Sequence, residues 1–79
     1  MDANIVGRRI RIARALKAPP WNQQELLVRL QVEGLDISQS TLSKIENGFR
    51  YVTDIELKTI AKVLNVSILW LLDESNEIK

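Results

Sequence analysis

Ser38-Gln39-Ser40-Thr41-Leu42-Ser43-Lys44-Ile45-Glu46-Asn47-Gly48 is the run whose reading decides the fold. Ser38 has the hydroxyl of a good N-cap, which can accept a bond from one of the unsatisfied N–H groups at a helix start. Gly48 suits the left-handed residue that closes a helix. At about 100° per residue, Leu42 and Ile45 point one way, with Ile37 entering just before them. Gln39, Ser40, Ser43, Lys44 and Asn47 fall on one opposite arc. That arc holds amides, hydroxyls and one ammonium, and no carboxylate. Such groups match the donors and acceptors of base edges and phosphates, and a helix has the width to enter a major groove. On its own, a polar arc on an amphipathic helix usually reads as a solvated face, so the rest of the chain has to decide.

Upstream, Asn22 is an N-cap with Glu25 three residues on, close to a capping box, and Trp21 and Leu26 hold the staple positions. Leu26, Leu27 and Leu30 form the buried stripe of this helix, which is expected to end near Glu33-Gly34. Together with the run from Ser38 it makes a helix-turn-helix pair. An earlier helix is predicted from Ala3 or Asn4 to Leu16. Val6, Ile10 and Ala13 share one stripe of it, Ile5, Ile12 and Leu16 a neighbouring one, and Arg8, Arg11 and Arg14 the remaining arc. Ala18-Pro19-Pro20 stops it, because proline cannot continue the ladder. Downstream, Phe49 to Val52 reads as an extended connection. Thr53 then caps a helix with Glu56 at the box position, and its core face is predicted to comprise Ile55, Ile60, Ala61, Val63 and Leu64. Asn65 is a left-handed stop, Ser67 caps a last short helix through Leu72, and the polar tail from Asp73 is expected to fray. The fold class is therefore all-α, a compact bundle of about five short helices. Residues 1–73 form the helix-turn-helix domain and 74–79 a polar C-terminal tail.

The composition limits the chemistry. A chain of 79 residues makes one small domain. It has no cysteine, hence no disulfide framework and no thiolate metal site, and no histidine, the commonest general base and metal ligand. No metal, cofactor or catalytic residue is expected. Ser40, Ser43 and Lys44 could be drawn as a Ser–Lys arrangement, but on an open surface nothing would exclude water. No signal peptide and no apolar run of membrane-spanning length is visible, which points to a cytoplasmic protein. Net charge is only +1, yet residues 1–20 carry five cations against the single carboxylate of Asp2. That basic first helix is either an ordinary exposed face or a neighbour of phosphates.

In this order the segments resemble the lambda-repressor-like family, the Cro/repressor or XRE-type helix-turn-helix domains. Val6-Gly7-Arg8-Arg9-Ile10-Arg11-Ile12-Ala13-Arg14 resembles the family's first helix, and Asn22-Gln23-Gln24-Glu25-Leu26 the start of its second. Ser38 to Gly48 is similar to its third. Ile60 to Ser67, with Trp70-Leu71-Leu72, resembles its closing segment. The resemblance implies that Gln39, Ser40 and Lys44 read bases. Glutamine suits adenine and lysine suits guanine. It implies backbone contacts from Asn22, Gln23, Ser43, Asn47, Arg50 and Tyr51, which set register rather than sequence. It further implies an internal pair, Arg14 with Glu46, tying helix one to helix three.

The segment Gln31–Ile37 is longer than the family's tight turn, and Val52 replaces its common proline. The implied function is a sequence-specific, double-stranded DNA-binding regulator of repressor type. It would work as a homodimer on DNA, with Ile68, Leu69 and Leu72 as interface candidates. The alternative is an adaptor or antitoxin module that uses the same fold to bind a protein.

Overall fold

A computed structural model describes residues 2–79. Five helices follow one another: α1 (Gly7–Ala15), α2 (Gln23–Val32), α3 (Gln39–Glu46), α4 (Asp54–Leu64) and α5 (Ile68–Leu71). None of these exceeds eleven residues. Helices this short are marginal alone, so their ends and their shared core must hold them.

The N-terminal ends use local side chains. Asn22 Oδ1 accepts from Glu25 N–H at 2.8 Å, and Glu25 Oε1 returns the bond to Asn22 N–H at 3.2 Å. Thr53 and Glu56 repeat this reciprocal box on α4. Ser38 Oγ accepts from Thr41 N–H at 3.1 Å, and Ser67 Oγ from Leu69 N–H at 3.1 Å. The C-terminal ends of α2 to α5 share one device, a left-handed residue flanked by two crossing backbone bonds. At α3, Gly48 (φ 79°) donates to Ile45 O while Phe49 donates to Lys44 O at 2.8 Å. Gly34 ends α2 in the same way, Asn65 ends α4 and Asp73 ends α5.

α1 begins later than the periodicity suggests. Asn4 Oδ1 accepts from Val6 N–H and Gly7 N–H at 3.0 and 2.9 Å, and that turn precludes helix at Asn4. The Nδ2 of Asn4 donates to Ile45 O and Arg50 O, so the same residue fastens the chain start to the end of α3. The lengthened segment before α3 is absorbed in two ways. α2 runs to Val32, and Glu33–Ile37 turns back with Leu35 and Ile37 packed against the core. Gln31 Nε2 holds the Ile37 carbonyl at 3.3 Å.

Ile10, Leu26, Leu30, Leu42, Ile45, Ile60, Leu64 and Leu71 form the sealed centre, with Trp70 closing one side. Ile55 is outside it, 72% exposed. It lies on the opposite side of the α4 axis from Leu64, and buried Glu56 takes the inward place at the helix start. Ile5 and Leu16 of the predicted second stripe on α1 are likewise exposed, while Ile12 packs half-buried. The tail does not fray: Ser67 N–H donates to Ile78 O at 2.6 Å, and the Ile78 side chain rests on the core.

Gly7 sets the spacing of α1 and α3. A β-carbon there would strike Ile45 O and lie 2.6 Å from Glu46 O. Alanine would raise helix propensity by about 1 kcal/mol, but the obstacle is backbone rather than a movable side chain. Overpacking of this kind costs about 1–3 kcal/mol, and the displacement wins. Gly7→Ala should lower the melting temperature in a calorimetric scan. An unchanged or raised value would mean that the two helices do not meet at Gly7.

Candidate nucleic-acid interface

Glu46, the last residue of α3, is buried with 1% of its side chain exposed. An isolated carboxylate in that position would be costly. Here Arg14 Nε donates to Oε2 at 2.9 Å, Arg14 Nη2 to Oε1 at 2.7 Å, and Gln23 Nε2 to Oε1 at 3.0 Å. Arg14 Nη1 also donates to Trp21 O, and Trp21 N–H returns a bond to Arg14 O. A single carboxylate thus gathers α1, the loop before α2, the first turn of α2 and the end of α3. The bidentate fork fixes direction as well as distance.

With its far end held and Leu42 and Ile45 in the core, α3 keeps its polar arc outward. Gln39, Ser40 and Lys44 are all exposed. Among the described residues none of their side-chain polar atoms takes a hydrogen bond within the chain. Ser43 is half-buried, and Asn47 Nδ2 donates to its carbonyl at 2.9 Å, an additional closure of α3. Asn47 Oδ1 is left for another donor. Asn22 is exposed at the start of α2, its Oδ1 spent on the cap. Gln23 is half-buried, and its amide NH₂ donates to Glu46.

Arg50 is engaged within the chain. Its guanidinium holds Glu56 through two bonds of 2.9 and 2.8 Å, and Nη1 also donates to Tyr51 O. It therefore binds the loop to α4, with about a third of its side chain exposed. The Arg50 guanidinium, partly offset by burial, holds the Glu56 carboxyl below its ordinary value of 4.5, and the same bonds raise the arginine further. Tyr51 is 79% exposed, and Phe49, not singled out in the sequence, is 77% exposed. Among the described residues no group of three or more His, Cys, Asp or Glu could gather a metal ion. No helix of the described residues is long and apolar enough to cross a membrane.

Two positioning residues escape the motif reading. Asn4 looks like a helix start in sequence, and its ties to Ile45 and Arg50 are long-range. Gly7 sits inside an apolar-periodic helix, and a glycine there is the signal of a close backbone approach.

Residues 33–71, from the end of α2 through α5, match the helix-turn-helix family. That part of the chain is a lambda-repressor-like helix-turn-helix, and the described residues are all-helical, built from five helices. In the general sense that this family defines, it is a DNA-binding regulator. No curated protein matches the chain.

Two outcomes test the framework beneath the interface. Glu46→Ala would leave the Arg14 guanidinium largely buried without its partner, at a cost of about 3 kcal/mol. Thermal unfolding should fall by roughly 10–20 °C, and an unchanged melting curve would remove Glu46 from the framework. The second concerns acid. Glu56 has a folded-state value below its unfolded one, so its contribution is present above about pH 4.5 and is lost as pH falls through the lower folded value. Arg50→Gln should flatten that part of the acid limb in urea titrations run at successive pH values. A limb as steep as that of the wild type would show that the pair has no part in it.

Proposed function

We propose that the chain is a sequence-specific repressor-type regulator that places α3 in the major groove of double-stranded DNA. One observation carries the reading: Gln39, Ser40 and Lys44 stand exposed on α3 without partners, while the rest of its length is sealed or tied. Gln39 and Lys44 supply the base-reading chemistry, an amide for adenine N6 and N7 and an ammonium for guanine O6 and N7. Ser40 can serve either base. Asn22, Gln23, Ser43, Asn47 and Tyr51 would fix register through phosphates, with the positive dipole end of α2 adding to the attraction. Arg50 is left out of that set, because its guanidinium is held by Glu56.

A single α3 spans only a few base pairs, so two copies would pair to read half-sites one helical turn apart. Ile68 and Leu69, 39% and 57% exposed, offer the apolar surface for such a pair. Leu72 is half-buried beside them, whereas Trp70 and Leu71 are spent on the core. The protein would work in the cytoplasm by occupying its site, with no cofactor and no catalytic step.

The exposed Ile68 and Leu69 also favour a second reading, an adaptor or antitoxin module docked on a partner protein through α5. The two readings respond differently to salt. Binding through several phosphates weakens steeply as salt rises, with a log–log slope of about −0.9 per phosphate, whereas an apolar interface barely responds.

Gln39→Ala or Lys44→Ala should cost about 1–3 kcal/mol on the preferred duplex and little on random DNA, as read by fluorescence anisotropy. An equal loss on both duplexes would show that the two residues do not read bases.

A further inference from the structure

The first helix carries more positive charge than the framework uses. Of the five cations in residues 1–20, three are engaged. Arg9 donates to Trp70 O and to Asp73, Arg14 holds Glu46, and Lys17 donates to Leu64 O beside the Trp21 ring. The other two are Arg8 and Arg11. Both are exposed, and among the described residues neither guanidinium has a hydrogen bond or an ion pair. Spaced by three, they share one face of α1. They also line the same groove, a cavity of about 370 Å³ that continues to Glu46, Asn47 and Gly48 at the end of α3. Two carboxylates lie on its wall: Glu46 is already matched by Arg14, and Asp2 opposes two guanidiniums.

We infer that Arg8 and Arg11 form a phosphate clamp on duplex DNA, closing on the backbone beside the C-terminal end of α3. This rests on the reading of α3 as the helix that enters the major groove. A helix in that groove is bordered by phosphates on both sides. The start of α2 addresses one border near Gln23. The groove between α1 and Asn47 lies at the C-terminal end of α3, with two forked cations that make no hydrogen bond or ion pair among the described residues. Guanidinium suits this task because its planar fork meets phosphate oxygens in pairs. The clamp carries no sequence information. It adds affinity for any duplex and fixes how far along the groove α3 sits.

The double variant Arg8→Gln/Arg11→Gln tests the inference, measured by anisotropy against the preferred duplex over a salt series. The log–log slope should become shallower by about 2, one phosphate for each lost cation, with the preference for the selected duplex over random DNA kept. Arg8→Lys/Arg11→Lys should restore the slope. A thermal melt of each variant, expected to match the wild type because both side chains are exposed, reads folding independently. A folded glutamine variant with the wild-type slope overturns the clamp while leaving the groove reading of α3 intact. Loss of sequence preference in that variant overturns it as well, by making the arginines base readers. A wild-type chain whose affinity for every duplex is indifferent to salt overturns the groove reading and the clamp together.

Discussion

The Glu46 carboxylate is the constraint on which the rest of the structure depends. Burying a charge is unfavourable unless its lone pairs are met, and here three donors from two other helices meet them. The net stability of such a network can be small, because desolvation offsets attraction. Its geometric effect is large. Arg14 and Gln23 can reach Glu46 together only if α1, α2 and α3 converge at one point, and Gly7 permits the close approach that this requires. At the opposite end of α3, Gln39 and Ser40 stand exposed, while Leu42 one turn on is sealed in the core.

The remaining architecture keeps short helices intact so that this convergence has rigid parts to act on. Side-chain caps close the starts of α2, α3, α4 and α5, and a left-handed residue closes the ends of α2, α3, α4 and α5. Each satisfies backbone groups that would otherwise be orphaned. The leucine and isoleucine core then supplies the attraction between helices. The tail adds a further fastening, since Arg9 bonds to Trp70 O and Ser75 O while Ile78 O receives the Ser67 N–H. It holds α5 to α1, and with it the exposed Ile68 and Leu69.

How much of this was legible in the sequence follows from the range of each interaction. Caps and stops depend on neighbours within a few residues, so Ser38, Asn22 with Glu25, Thr53 with Glu56, Gly48 and Asn65 could be read directly. The apolar stripes of α2 and α3 were equally plain. Hydrophobicity alone puts Ile55 on the core face, whereas the phase of α4 turns it to solvent. The start of α1 was placed too early because helical periodicity cannot see the side-chain turn at Asn4. The pairing of Arg50 with Glu56 is not legible, because Glu56 already has a complete local role in the capping box. The exposure of Gln39, Ser40 and Lys44 was legible from phase. That Gln23 gives its amide to Glu46 was not, because the two residues meet only when α2 and α3 are packed.

The central claim is that the outward arc of α3 is the surface that meets DNA. An NMR titration with the duplex that the protein selects from a random pool tests it most directly. The account predicts that the side-chain amide of Gln39 and the backbone signals of Ser40 and Lys44 move first and furthest, while the signals of Ile68 and Leu69 on α5 stay nearly still until a second copy is recruited. Shifts confined to α5, with α3 silent at saturating duplex, would contradict it.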